Sequence, residues 1–126
     1  MKSREADEQE AFFRWAAWAA RRHPALELLF HVPNGGSRNP AEAAHLKRMG
    51  VRAGVPDIVL PVARGGFHGL FIELKTAGGR ASAEQKEWLE RLRLEDYRAV
   101  VCVGWMDAVR TVCEYLGIET PEAARE

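Results

Sequence analysis

Hydrophobic positions along the chain change period from block to block, and each change marks an element. Residues 5–22, rich in Ala, Glu and Arg, carry Phe12, Phe13, Trp15 and Trp18 at helical spacings before His23-Pro24 stops the pattern, which predicts a first helix. A short apolar run over 26–32 predicts a strand, and Pro33-Asn34-Gly35-Gly36-Ser37-Arg38-Asn39 breaks it. Residues 40–49 read as a second helix, with Asn39 as its N-cap, Pro40 in its first turn, Glu42 completing a capping-box-like pair and Gly50 as its stop. The runs 54–60 and 71–75 are two strands joined by a reversal at Arg64-Gly65-Gly66.

A third helix over 82–95 opens on the capping box Ser82…Gln85. The run 99–104 is apolar throughout, as expected of a crossover strand buried on both faces, and 107–116 forms a last helix ended by Gly117. Residues 119–126 are polar, contain Pro121 and are expected to fray. The order predicts a three-layer α/β domain, a central mixed β-sheet flanked by helices, spanning 1–118 with a C-terminal tail over 119–126. A further short strand near Gly50 is compatible with the pattern.

Strand alternation gives this scaffold its chemistry. Glu73 and Lys75 share one face, while Ile72 and Leu74 take the apolar other. A turn centred near Gly66 sets Asp57 opposite Lys75 and diagonal to Glu73, bringing two carboxylates within reach of one small ion; a one-residue slip would move Asp57 to the wrong face. Hard oxygen ligands of this kind suit Mg²⁺ or Mn²⁺, and such an ion beside a lysine fits phosphodiester hydrolysis. An acid-x-Lys triplet alone says little, since average composition produces about one in a chain of this length. Pro56-Asp57 at a strand start, the adjacent Glu73-Leu74-Lys75 and the helix start that follows give it weight.

Two further residues have both a structural and a chemical reading. Glu10 precedes Phe13 and Ala17 by three and seven positions, so it is either a surface acid paired with Arg14 or a third acid for the cluster. Gln85 is a capping-box residue that also heads the inward stripe of its helix, near the end of the Glu73 strand. The stretch from His31 to Pro56 holds four bases, Arg38, Lys47, Arg48 and Arg52, against the single acid Glu42. Together with main-chain N–H groups of the Asn34-Gly35-Gly36 loop, it is the best candidate for binding a phosphate backbone, the other reading being an ordinary solvated helix. No aromatic residue interleaves these bases, so stacking of single-stranded bases is not expected there.

Composition narrows the class. Eighteen basic and eighteen acidic residues cancel, so any nucleic-acid surface is local rather than global. No apolar run reaches the length of a membrane span and no signal-like stretch follows Met1, so the expectation is a soluble, cytoplasmic protein without a membrane partner. Cys102 and Cys113 are expected to be buried free thiols, and His23, His31, His45 and His68 lack the spacing of a zinc site.

The combination of Pro56-Asp57, Glu73-Leu74-Lys75 and Ser82-Ala83-Glu84-Gln85 resembles the PD-(D/E)XK nuclease superfamily, and specifically its VRR-NUC family. Pro33-Asn34-Gly35-Gly36 and Gly50-Val51-Arg52-Ala53-Gly54 are similar to that family's pattern too, and the likeness runs from about Glu10 to Gly117. It implies a restriction-endonuclease-like fold, Mg²⁺ or Mn²⁺ dependence, and metal ligands at Asp57, Glu73 and the Leu74 carbonyl. It assigns Lys75 to the attacking water, Glu10 to the first-helix acid and Gln85 to the fourth motif. The chain is similar to stand-alone members such as phages and bacteria encode, which resemble Holliday-junction resolvases; this implies a homodimer cutting four-way DNA junctions, the alternatives being a flap or restriction-like nuclease with the same site, or a nucleic-acid-binding module without turnover. Phe12, Trp15 and Trp18, or the last helix with Tyr115, are the candidate dimer surfaces, and core packing explains most of them equally well.

Overall fold

The computed structural model describes residues 4–33 and 39–125. Among the described residues four helices and four strands follow in the order α1 (Arg4–Ala19), β1 (Phe30–His31), α2 (Pro40–Arg48), β2 (Ile58–Leu60), β3 (Leu70–Lys75), α3 (Ala83–Leu94), β4 (Arg98–Val103) and α4 (Trp105–Leu116). The sheet order is β1-β2-β3-β4, with β1/β2 and β2/β3 antiparallel and β3/β4 parallel, so α3 is the crossover the parallel pair requires. Among the described residues no helix is long and apolar enough to cross a membrane.

The even-numbered side chains of β3, Leu70, Ile72 and Leu74, meet Phe12 and Ala16 of α1 and Ala108, Val109 and Val112 of α4 in one core. The inward stripe of α1 is Phe12, Ala16 and Ala19, and it leaves Trp18 64% exposed. The helix is tied to α4 at its other end: Glu8 Oε1 accepts the Trp105 N–H at 2.9 Å, capping a helix whose own N-cap, Gly104, has no side chain to do so. The odd-numbered side chains of β3 point toward α3, where Leu89 is buried and Phe71 packs edge-on against Tyr97.

Several elements differ from expectation for identifiable reasons. Residues 24–28 form a 3₁₀ turn, because Leu26 and Leu29 are buried at a spacing of three that no strand provides, and β1 shrinks to two residues. No strand lies near Gly50 among the described residues; the chain turns there at φ +105°. β4 is an edge strand and is not buried on both faces: Val101 and Val103 remain 38% and 49% exposed. Its outer backbone is blunted instead, since Arg93 Nε donates to the Ala99 carbonyl at 2.8 Å and Asp107 Oδ2 accepts the Val103 N–H at 2.9 Å. The tail does not fray over its described part: residues 122–124 form a 3₁₀ turn that buries Ala124 against the core, and the Arg110 guanidinium, itself held by Asp107, donates to the Ala124 carbonyl.

The loop before β2 is clamped onto α3. Gly54 has φ +91°, and a Cβ there would stand 2.8 Å from the Glu84 carbonyl carbon, while Trp88 Nε1 donates to the Ala53 carbonyl at 3.0 Å. Only glycine permits both the backbone and the contact. Gly54→Ala is therefore expected to destabilise the fold by about 2 kcal/mol or more in denaturant unfolding, against about 1 kcal/mol for Gly65→Ala, whose positive φ meets open space.

Candidate active site

The site begins with a register. Arg64 and Phe67 exchange both backbone hydrogen bonds, at 3.1 and 2.9 Å, around Gly65-Gly66 with φ of +58° and +89°, which makes a two-residue hairpin tip. Continued without interruption, that tip would set Asp57 opposite Leu74, on the wrong side of the sheet. The ladder instead pairs Ile58 with Ile72, Val59 with Phe71 and Leu60 with Leu70, so one extra residue is accommodated in Pro61-Val62-Ala63, where Val62 N–H turns back to the Leu60 carbonyl at 2.9 Å. One further step then sets Asp57 opposite Glu73, rather than opposite Lys75 as expected. The shift from the expected pairing is two residues, and an even shift keeps the face.

Asp57 and Glu73 are the buried charged side chains of the core, 6% and 1% exposed. Asp57 Oδ2 accepts the Leu74 N–H at 2.9 Å, which fixes its carboxylate against β3. Since a strand residue presents its N–H and C=O to the same side, the Leu74 carbonyl faces the same gap. Glu73 Oε2 accepts from Gln85 Nε2 at 3.2 Å and lies 3.5 Å from Lys75 Nζ, whereas its buried Oε1 has no hydrogen-bond partner. Burial, then the charge of Asp57, push the Glu73 carboxyl up from its usual 4.5 to about 8, with Lys75 pulling the other way.

The third acid is Glu5, and not Glu10. Carboxylate oxygens of Glu5, Asp57 and Glu73 lie within 4.8 Å of one another, the one such group of ligand-type side chains among the described residues. Glu10 is exposed, because it stands two positions, about 200° of helical rotation, from the buried Phe12. Glu5 stands seven positions before Phe12, two turns back on the same stripe. The signal was present in the sequence as Phe12-Ala16-Ala19 extended backward; taking Phe13 and Ala17 as the inward pair rotated the stripe onto the wrong acid. The bond from Glu8 to the start of α4 holds this end of α1 over the strand ends.

Gln85 serves both of its readings at once. Its Oε1 accepts the Ser82 N–H at 2.8 Å and its backbone N–H donates to Ser82 Oγ at 3.2 Å, completing the capping box, while its Nε2 reaches Glu73. The cap thereby orients an amide donor at the buried carboxylate. His31 also comes to the site through backbone: its Nδ1 lies 2.9 Å from the Asp57 carbonyl, which accepts the Val32 N–H as well at 2.7 Å. Cys102 and Cys113 are buried free thiols away from the cluster, both pushed up to about 11 by burial.

Of the basic residues, Lys47, Arg48 and Arg52 are exposed on α2 and the loop after it, and α2 buries no side chain of its own. Lys47 and Arg52 border a cleft that Gln85 also lines. Asn34, Gly35, Gly36 and Arg38 lie outside the described residues. The aromatic surfaces considered for a dimer divide: Phe12 is wholly buried, and the Tyr115 hydroxyl donates inward to the Val62 carbonyl at 2.6 Å, leaving Trp18 as the exposed ring.

The chain matches the VRR-NUC domain family over residues 4–106. It is similar to a solved VRR_NUC domain protein, 33% identical, with a TM-score of 0.77 over 94% of this chain and 92% of that one. No curated protein matches it. Register, buried acid pair, lysine and family match agree, and the chain belongs to the VRR-NUC family of the PD-(D/E)XK nuclease superfamily, a nuclease domain whose substrate is DNA.

Proposed function

We propose that this protein is a divalent-metal-dependent, structure-selective DNA endonuclease, acting as a homodimer on branched DNA in the manner of a Holliday-junction resolvase. The observation that carries the metal dependence is the Glu73 carboxylate, sunk beside Asp57 with one oxygen left without a partner. Burial and the charge of Asp57 together outweigh the attraction of Lys75, which is why the Glu73 carboxyl is pushed up rather than down. Glu5, Asp57 and Glu73 against Lys75 leave two negative charges when all are ionised, the charge a divalent cation neutralises. The donor set is all oxygen, which suits Mg²⁺ or Mn²⁺.

Asp57, Glu73 and the Leu74 carbonyl would hold the ion, with Glu5 as an additional carboxylate. Such an ion supplies Lewis-acid stabilisation of a phosphodiester and a more acidic water. Lys75, largely buried with its ammonium 3.5 Å from Glu73, is placed to orient the attacking water and to stabilise charge that develops on the phosphate. Gln85 fixes the Glu73 carboxylate so that its free oxygen keeps one direction. Lys47, Arg48 and Arg52 would position the DNA backbone by its phosphates. The junction reading is supported by the family's likeness to resolvases, since a two-fold junction matches a two-fold dimer with two sites.

The decisive assay follows cleavage of labelled four-way junction, flap and linear duplex with Mg²⁺, Mn²⁺ or EDTA. Paired symmetric nicks confined to the junction, lost in EDTA and in Asp57→Ala, are the expected result; flap or duplex cutting would change the substrate, and no cutting by any combination would overturn the enzyme. Lys75→Ala is expected to keep cation and DNA affinity within about twofold while the rate falls by about 10²–10³.

Proton and cation compete for the same oxygens. Without a cation, Glu73 keeps its proton to about pH 8, well above the 4.5 of an ordinary glutamate. Its contribution to stability is full below the unfolded value and is lost as pH rises through the folded one. Mn²⁺ must displace that proton, so its affinity by calorimetry is expected to rise by up to about tenfold per pH unit and to level off above about pH 8. A flat profile over that window would contradict the buried-carboxylate ligand.

A further inference from the structure

Between α2 and α3 lies a cleft of about 550 Å³, within the ~300–1,000 Å³ range of small-ligand sites. Leu46 and Trp88 make it apolar, Lys47 and Arg52 stand on it as cations, and Gln85 joins it to the Glu73 carboxylate. The basic segment has no aromatic residue of its own in sequence; the fold supplies one from α3. Trp88 is held in place, since its Nε1 donates to the Ala53 carbonyl at 3.0 Å and the next residue, Gly54, is packed against the backbone of Glu84. An indole fixed by the loop that also carries Arg52 gives a π-surface and a cation in set relation.

We propose that this cleft takes one unstacked nucleotide of the DNA being cut, its base against Trp88 and its flanking phosphates on Lys47 and Arg52. The inference rests on the nuclease reading and deepens it by naming what the site selects. A bare phosphate would leave the Leu46 and Trp88 surfaces unused. A base uses them, because every base has a face to stack. A paired base must first leave the duplex at a cost of a few kcal/mol, whereas a nucleotide at a branch or bulge has already done so. Preference for distorted DNA then follows from a cleft that shares Gln85 with the acidic cluster.

The test uses the full-length protein in EDTA and a duplex carrying one bulged 2-aminopurine, compared with the same duplex fully paired. Stacking on an aromatic ring quenches that fluorophore, so binding by wild type is expected to darken it and to favour the bulged duplex by about tenfold, the lower part of the ~1–3 kcal/mol that a base–aromatic stack provides. Trp88→Phe keeps a ring and is expected to retain the quenching. Trp88→Leu is expected to lose it and to bring the ratio of bulged to paired affinity toward one. Ala43→Leu, which fills the cleft from α2 with an aliphatic side chain and leaves residue 88 unchanged, is expected to do the same, so a misfolded Trp88 variant does not decide the matter. Bright 2-aminopurine in the wild-type complex, or a ratio unchanged in both Trp88→Leu and Ala43→Leu, would overturn the proposal. None of these readings requires cleavage: their failure leaves the nuclease assay to stand alone, and quenching without cleavage under any cation would remove the nuclease and leave the cleft.

Discussion

Two carboxylates buried side by side at the end of a β-ladder are the constraint on which the remaining arrangement depends. Asp57 and Glu73 are taken from water by packing that serves the core, so each needs a partner or a proton. Asp57 finds the Leu74 N–H, and Glu73 finds Gln85 and Lys75 with one oxygen. The other oxygen has no donor to accept from, and burial with the charge of Asp57 pushes the carboxyl up to about 8. A fold built for stability alone would replace such a pair with apolar side chains. Its presence here is what a charged ligand site requires, and the proposed cation would resolve the conflict that burial creates.

Each part of the fold near this pair has a local cause. The extra residue in Pro61-Val62-Ala63 sets the face of Asp57; the Ser82 cap sets the amide of Gln85; the bond from Glu8 to Trp105 sets the end of α1 that carries Glu5. The three are unrelated in sequence and converge because helix ends and a strand start meet at one end of the two central strands. The clamp of Gly54 and Trp88 adds a fourth, tying the basic α2 segment to α3 beside the same carboxylate. The α2 helix itself buries no side chain.

The order of elements was legible because helical and extended periods alternate cleanly and because caps and glycines mark their ends: Asn39, Ser82 and Gly117 all stand where expected. Asp57, Glu73 and Lys75 were legible as one face of a hairpin. The register was not, since one residue in a strand end outweighs the centre of the turn. The first-helix acid was missed because Phe12 and Phe13 are adjacent, and choosing the wrong one rotates a helix by about 100°. Trp88 beside the basic segment could not be seen at all, because a contact across 35 positions of sequence leaves no local pattern. The docked tail failed for the opposite reason: its polar composition hides the single buried Ala124.

The acids of α1, the β2 entrance and β3 meet in one cluster, the proposed cation site, with Glu5 as the helix contribution. Calorimetric titration of Mn²⁺ into wild type, Glu5→Gln and Glu10→Gln at about pH 8 addresses it directly. A saturable site is expected in wild type, weakened about tenfold or more by Glu5→Gln and within about twofold of wild type in Glu10→Gln. No binding by wild type, or weakening by Glu10→Gln with Glu5→Gln unaffected, would contradict it.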